Sequence, residues 1–330
     1  MINIPRALLV LLVLSLLSAA AFAQASRDKV EIVKPAGYTA PVLHRSESLQ
    51  SVLSKAVREV TAERNFKPNE MAATLIDVRD VDDLKMAEVN GELRFYTASV
   101  VKMFYMAALH RQLEDGKITL TKEMERGLAD MIVDSSNDAT GYILDVLTDT
   151  HGGAELPHKA FEDWQYKRNR VNRFFASLGY RNININQKTF CEDAYGIERQ
   201  SRNYPTDAAN RNNLTTNATA RLLAEIAIRR FVNESRSNAM LDLMKRDWDT
   251  TAEPNSQAVD FTGKALIDNK MTGAKLWSKA GLAIRSRHDA AYIETPDGLK
   301  FVLVVFTENH LNDREPIPLV AAKVIKGLRS

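Results

Sequence analysis

The sequence predicts a mixed α/β fold: one sheet assembled from both ends of the chain, covered by terminal helices, with a helical subdomain inserted in the middle. Three observations lead there. Strand-like runs rich in β-branched residues occur near the two ends, at 71–95 and 276–307. The stretch between them is mostly of helical spacing. A helix-patterned segment also stands before the first strands and another after the last.

In chain order, residues 1–23 read as a secretory signal peptide. Arg6 precedes an unbroken apolar run from Ala7 to Leu17, and small residues end in Ala21-Phe22-Ala23, a basic flank, apolar run and A-x-A end. The run falls short of the ~20 residues of a spanning helix, so cleavage after Ala23 or Ala25, export to the periplasm or medium and no remaining membrane anchor are expected. No cysteine follows the run to carry a lipid.

Residues 24–45 are a polar lead-in carrying Pro35 and Pro41, and residues 46–330 form the expected catalytic domain, with the helical subdomain at about 99–250. Residues 46–64 have helical spacing, with Leu49, Val52, Leu53, Ala56, Val57 and Val60 on one face. Residues 71–78 read as a strand, and 86–95, broken by Asn90-Gly91, as a strand pair around a tight turn. Helices are expected at 122–133, 139–147, 161–178, 215–231 (capped by Thr215 or Thr216) and 235–246. Residues 179–213 are long, polar and rich in Asn, a composition read as a functional or disordered loop, and 250–270 look irregular. Strands at 276–282, 288–295 and 300–307 follow, the last two joined by Pro296-Asp297-Gly298, and a helix at 318–328 closes the chain.

Composition narrows the function classes. Hydrophobic content of 45% with 26% charged residues is that of a globular protein with a sizeable core, and a net charge of +2 with no polybasic block argues against nucleic-acid partners. The six histidines show no metal-ligand spacing, and no phosphate loop is present, so no metal or other cofactor is expected. Cys191 is the only cysteine, which excludes an internal disulfide; it reads as a packed core residue.

The chemistry centres on Arg94 to Tyr105, where apolar spacing continues through Leu113. Ser99 stands at the head of that helix, with Lys102 one turn on and on the same face. A serine hydroxyl becomes a good nucleophile when a neighbouring base takes its proton, and a lysine in an apolar setting suits that task. At a helix start the serine's own N–H is free to bind an oxyanion. A chain of this length holds roughly one S-x-x-K by chance, so a helix cap followed by a surface lysine is the plain alternative. Two further segments bear on the choice. Ser135 and Asn137, two apart between helices, can face one cleft; Ser135 could relay a proton to a leaving group and Asn137 hold a substrate amide. Ser278-Lys279-Ala280-Gly281-Leu282 opens a strand, where Lys279 offers a cation and Gly281 allows close backbone approach. Taken singly, Ser135 reads equally as a helix cap, Asn137 as a turn residue and Lys279 as a solvated lysine.

With these three segments in this order the chain resembles the serine β-lactamase and penicillin-binding protein superfamily, class A β-lactamases most closely. The family's S-x-x-K, S-D-N and K-T-G correspond to Ser99–Lys102, Ser135-Ser136-Asn137 and Lys279-Ala280-Gly281, and the similarity runs from about Ser46 to the end. The resemblance implies an α+β sandwich with an antiparallel sheet and the site between sheet and helical subdomain. It implies Ser99 as acylated nucleophile, Lys102 as proton acceptor, Ser135 and Lys279 in proton transfer and substrate carboxylate binding, Asn137 on the acyl amide, and the N–H groups of Ser99 and Leu282 as oxyanion hole. The implied partner is a small-molecule β-lactam or cell-wall peptide-like substrate, met by a monomer.

The departures are specific. Ser136 replaces the Asp of S-D-N, and Ala280 the Thr of K-T-G, for which Arg285, Arg287 or His288 could compensate. The E-x-x-L-N that supplies the family's deacylating base has no match. Residues 179–213 offer Glu192, the preferred candidate, and Glu198 instead. Three readings follow: an exported serine hydrolase acting on β-lactams or related amides and esters, a penicillin-binding DD-peptidase or esterase of the cell envelope, and a non-catalytic envelope binding protein of the same fold.

Overall fold

The computed structural model describes residues 30–190, 192–206, 209–249 and 256–330. The expected signal peptide and Cys191 lie outside the described residues. No helix among the described residues is long and apolar enough to cross a membrane.

The sheet is built from both chain ends. Its strands are β1 (Leu43–Arg45), β2 (Met71–Asp77), β3 (Leu84–Val89), β6 (Lys245–Arg246), β7 (Lys275–Ala283), β8 (Ser286–Glu294) and β9 (Lys300–Glu308). They are ordered β1-β3-β2-β9-β8-β7-β6. Every pairing is antiparallel except β1 with β3. The first and last thirds of the chain join at the β2–β9 seam, where Thr74 faces Val304.

Alternation along these strands divides the interior in two. Ala72, Ile76, Val302, Val304 and Phe306 face the helical subdomain. Ala73, Leu75, Phe301, Leu303 and Val305 face α1 (Glu47–Glu63) and α12 (Pro316–Leu328), which pack together. Because both faces are covered, β2, β8 and β9 are almost continuously buried. Ser46 caps α1, its side chain accepting from Leu49 N–H at 3.3 Å.

Between the halves lie α2 (Val101–Glu114), α3 (Lys122–Ile132), α4 (Asn137–Thr148), α5 (His158–Arg168), α6 (Arg170–Ser177), α7 (Gly196–Arg202), α8 (Thr216–Ala227) and α9 (Glu234–Met244). α2 is the axis of this layer: twelve of its fourteen residues are buried, so packing surrounds it on every side. α8, capped by Thr215, lies against β2, β8 and β9.

Four expectations need correction. Residues 86–95 are not a strand pair. Asn90 takes a left-handed backbone (φ 55°) and its amide donates to Met71 O, turning the chain out of the sheet. The short β4 (Phe95–Tyr96) pairs instead with β5 (Asn213–Leu214). The helix expected at 161–178 breaks at Asn169 into α5 and α6. The polar 179–213 stretch contains α7 and is bound together by its asparagines: Asn212 Oδ1 accepts from the N–H groups of Asn186 and Gln187, and Asn184 and Asn186 both donate to Asn210 Oδ1. The irregular 250–270 region includes α10 (Ser256–Val259) and α11 (Thr262–Asp268).

Candidate active site

Ser99 sits in a single 3-10 turn, Ala98–Val100, that runs directly into α2. Ala98 enters this turn at φ 44°, a conformation costly for a residue with a side chain. Surrounding structure holds it there. Val100 N–H donates to Thr97 O, and β7 and β8 pack on the turn. A Cβ on Gly281 would lie 3.0 Å from Thr97 O and from Val100 Cγ2, and 3.2 Å from Ala98 Cβ. The absent side chain of Gly281 thus makes room for the serine turn itself, rather than for a substrate backbone as the sequence suggested. Ser99 is half-buried.

Lys102, fully buried, reaches the loop before α4. Its Nζ donates to Ser135 O at 2.5 Å, to Asn137 Oδ1 at 2.9 Å and to Ser135 Oγ at 3.2 Å. Ser135 is presented by a left-handed backbone (φ 59°). Ser136, where the family has Asp, caps α4, its side chain accepting from Ala139 N–H. So Ser for Asp leaves the loop formed.

Lys279, also fully buried, approaches the same hydroxyl from β7. Its Nζ lies 2.9 Å from Ser135 Oγ, 2.9 Å from Ala280 O and 2.5 Å from Gln257 Oε1. Burial first, then the neighbouring charges of Lys102 and Arg246, pushes the Lys279 amine well below the ordinary lysine range, with Asp289 opposing. Sequence reasoning missed Gln257, which sits on one turn of helix in a region read as irregular. Arg246 backs the strand by donating to Ser278 O and Ile132 O, and burial lowers it to about 10. Ala280 turns its methyl into the core shared with Leu276.

Of the three groups offered as compensation, only Arg285, in the turn between β7 and β8, lies along the cleft. Arg287 turns to the far side, donating to Asp260 O and stacking over Phe261. His288 is buried and neutral, its pKa lowered to about 4 by desolvation. Thr307 N–H donates to its Nδ1, which leaves the proton on Nε2 to bond Tyr96 O at 2.8 Å. That bond fastens β8 to the strand leading into Ser99.

The cleft beside this cluster has a volume of about 500 Å³ and is bordered by Asn137 and Lys188 on one side and Leu282 to Ser286 on the other. Leu282 is 54% exposed at its mouth. The two glutamates separate sharply. Glu192 is exposed and lines the cleft. Glu198 is 4% exposed and its carboxylate accepts two hydrogen bonds from Arg168, at 2.7 and 3.2 Å, with Lys188 Nζ at 3.4 Å. Asp145 closes this ring through Arg168 and Lys188. Lys102, Ser135, Asn137 and Lys279 are therefore joined by hydrogen bonds. Ser99 lies three residues before Lys102 on a turn that β7 packs against. Asn137 and Leu282 line the cleft with Glu192, and Glu198 is tied into an ion network. Among the described residues no cluster of side chains could hold a metal ion.

Comparison with known proteins agrees with this architecture. The β-lactamase of Sphaerobacter thermophilus is 21% identical, with a TM-score of 0.59 over 84% of this chain and 95% of that one. PBP-A is 18% identical, with a TM-score of 0.59 over 88% and 99%. A PBP-A variant captured as an acyl-enzyme complex with penicillin G is 17% identical, with a TM-score of 0.58 over 88% and 99%. At these identities the likeness is one of fold. No curated protein sequence matches the chain. The sequence profile of the beta-lactamase enzyme family, however, matches residues 52–136 and 125–326, most of the chain. The chain is a member of the beta-lactamase enzyme family.

Proposed function

We propose that this chain is an exported serine hydrolase that attacks β-lactams or related amides and esters through an acyl-enzyme on Ser99. The observation that carries the reading is the convergence of two buried lysines, from α2 and β7, on the hydroxyl of Ser135. Burying two cations is costly, and a merely structural site has no need of both. In this reading Lys102 takes the Ser99 proton. Ser135 passes a proton to the leaving group and is aligned for it by Lys102 and Lys279. Asn137 holds the acyl amide, and the N–H groups of Ser99 and Leu282 polarise the carbonyl. Residues 1–23 serve as the cleaved leader, and the helical subdomain at about 99–250 closes one side of the cleft.

A second reading, a penicillin-binding peptidase or esterase, draws on the state of the two glutamates. Glu198 is locked by Arg168 and Glu192 stands exposed, so neither is held as a buried, aligned base for water. The test is a time course of fluorescent penicillin labelling, with the adduct mapped. Label on Ser99 that is rapidly lost indicates a β-lactamase, and label that persists indicates the peptidase class. Absence of any Ser99 adduct with β-lactams and activated esters alike overturns both readings and favours a binding protein.

A further inference from the structure

The three hydrogen-bonding directions of the Lys279 amine are taken by Ser135 Oγ, Gln257 Oε1 and Ala280 O, and the residue is sealed from solvent. Lys279 is therefore poorly placed to receive an anionic group of a substrate, and recognition of charge must fall elsewhere. The cleft carries four cations against three carboxylates. Three of the cations have carboxylate neighbours: Lys188 has Asp145 and Glu198, Arg202 has Asp193, and Arg285 has Glu308 at 3.8 Å.

The fourth is Arg211. It is exposed, and its guanidinium lies over the Tyr96 ring, 4.3 Å from the centroid. No carboxylate among the described residues pairs with it. Its backbone is fixed: Arg211 O accepts from the amides of Asn184 and Asn213, at 2.9 and 2.7 Å, and Asn213 pairs with Tyr96 in the β4–β5 ribbon. Tyr96 in turn stands three residues before Ser99 and is bonded to His288. The ribbon thus holds one uncommitted cation in register with the nucleophile's turn. A guanidinium stacked on a ring keeps its edge N–H groups free for a carboxylate.

We propose that Arg211 is a specificity-determining residue that binds a carboxylate on the acyl portion of the substrate. This rests on the acyl-enzyme reading. An acyl group on Ser99 with its oxygen toward Leu282 N–H extends along Leu282 to Arg285, into the cleft that Arg211 faces. Glu192, across the same cleft, disfavours a second negative charge there, so the fit is to one carboxylate.

The probes are mono-p-nitrophenyl glutarate, whose acyl chain ends in a carboxylate, and neutral p-nitrophenyl butyrate. The parent is expected to acylate with the glutarate at least about tenfold faster after correction for intrinsic reactivity. Arg211→Gln should erase that preference without changing the butyrate rate, Arg211→Lys should restore part of it, and 0.5 M salt should weaken it. Equal losses on both probes, or no preference in the parent, overturn the proposal. A separate readout guards against failure of the acyl-enzyme reading. Ser99→Ala protein should bind monomethyl glutarate, which carries a single carboxylate, saturably in a calorimeter, and Ser99→Ala with Arg211→Gln should not. If the parent forms no adduct but that binding contrast holds, the hydrolase reading falls and Arg211 stands as an anion site. Lack of monomethyl glutarate binding by Ser99→Ala overturns the Arg211 assignment whatever the esters show.

Discussion

Lys102 and Lys279 share one acceptor: their amine nitrogens lie 3.2 and 2.9 Å from Ser135 Oγ. They arrive from different layers of the fold, α2 and β7, and both are fully buried. In the acyl-enzyme reading proposed above, Lys102 and Ser135 are the groups that would carry the Ser99 proton to the leaving group.

Ser99→Ala should abolish covalent labelling by activated esters and β-lactams while leaving the thermal midpoint within a few degrees, since the half-buried hydroxyl contributes little to the core. Lys102→Arg should be nearly as inactive as Lys102→Ala, because a guanidinium keeps its proton at any working pH and cannot act as base. Stopped-flow acylation decides this, and near-normal rates in Lys102→Arg would rule the general-base role out.

Gly281→Ala should slow acylation by about 100-fold, with a loss of stability of about 1–3 kcal/mol. The added methyl would press on Thr97 O, Val100 Cγ2 and Ala98 Cβ, the atoms of the serine turn. Parent-like acylation by a folded Gly281→Ala protein would show that this close packing does not set the position of Ser99.

The two glutamates should part company when neutralised. Glu198→Gln should cost about 3–5 kcal/mol, because it removes a partner of the fully buried Arg168. Glu192→Gln should leave stability unchanged; if Glu192 activates water, it should also lengthen the life of the acyl-enzyme by about 100-fold or more. Mass spectrometry of the Ser99 adduct over time, beside urea denaturation, reads both effects. Deacylation at the parent rate in Glu192→Gln would leave the loop without a base and move the peptidase reading ahead.

His288 should make stability depend on acid pH. Its folded pKa is lowered to about 4 by burial, so between the ordinary ~6.5 and about 4 the unfolded chain takes up a proton that the folded chain refuses. Stability should therefore fall as pH drops through that window, by up to ~3 kcal/mol, and this contribution should level off below it. His288→Gln should be less stable at pH 7, since the Tyr96 and Thr307 bonds are compromised, but its slope from pH 6.5 to 4 should be shallower. Identical slopes for parent and variant would show that His288 is not the group responsible.

The sequence by itself determined the frame. Periodicity found α1, α2, β2 and the last three strands because each has one or both faces committed to a core, and burial writes itself into spacing. The order of three short motifs, through the family the chain resembles, nominated Ser99, Lys102, Ser135, Asn137 and Lys279 as site candidates, since reactive groups on one helix or loop keep fixed offsets. What tertiary structure alone decided is everything set by contacts across the chain. Asn90-Gly91 looked like a hairpin turn, yet Phe95 and Tyr96 pair with residues more than a hundred positions away, and local propensity carries no trace of such a partner. Gln257 on Lys279, Arg211 on Tyr96 and His288 on Tyr96 O have the same origin. The fates of Glu192 and Glu198 were equally hidden: both are glutamates in one polar stretch, and only the fold places a buried Arg168 against one and solvent against the other.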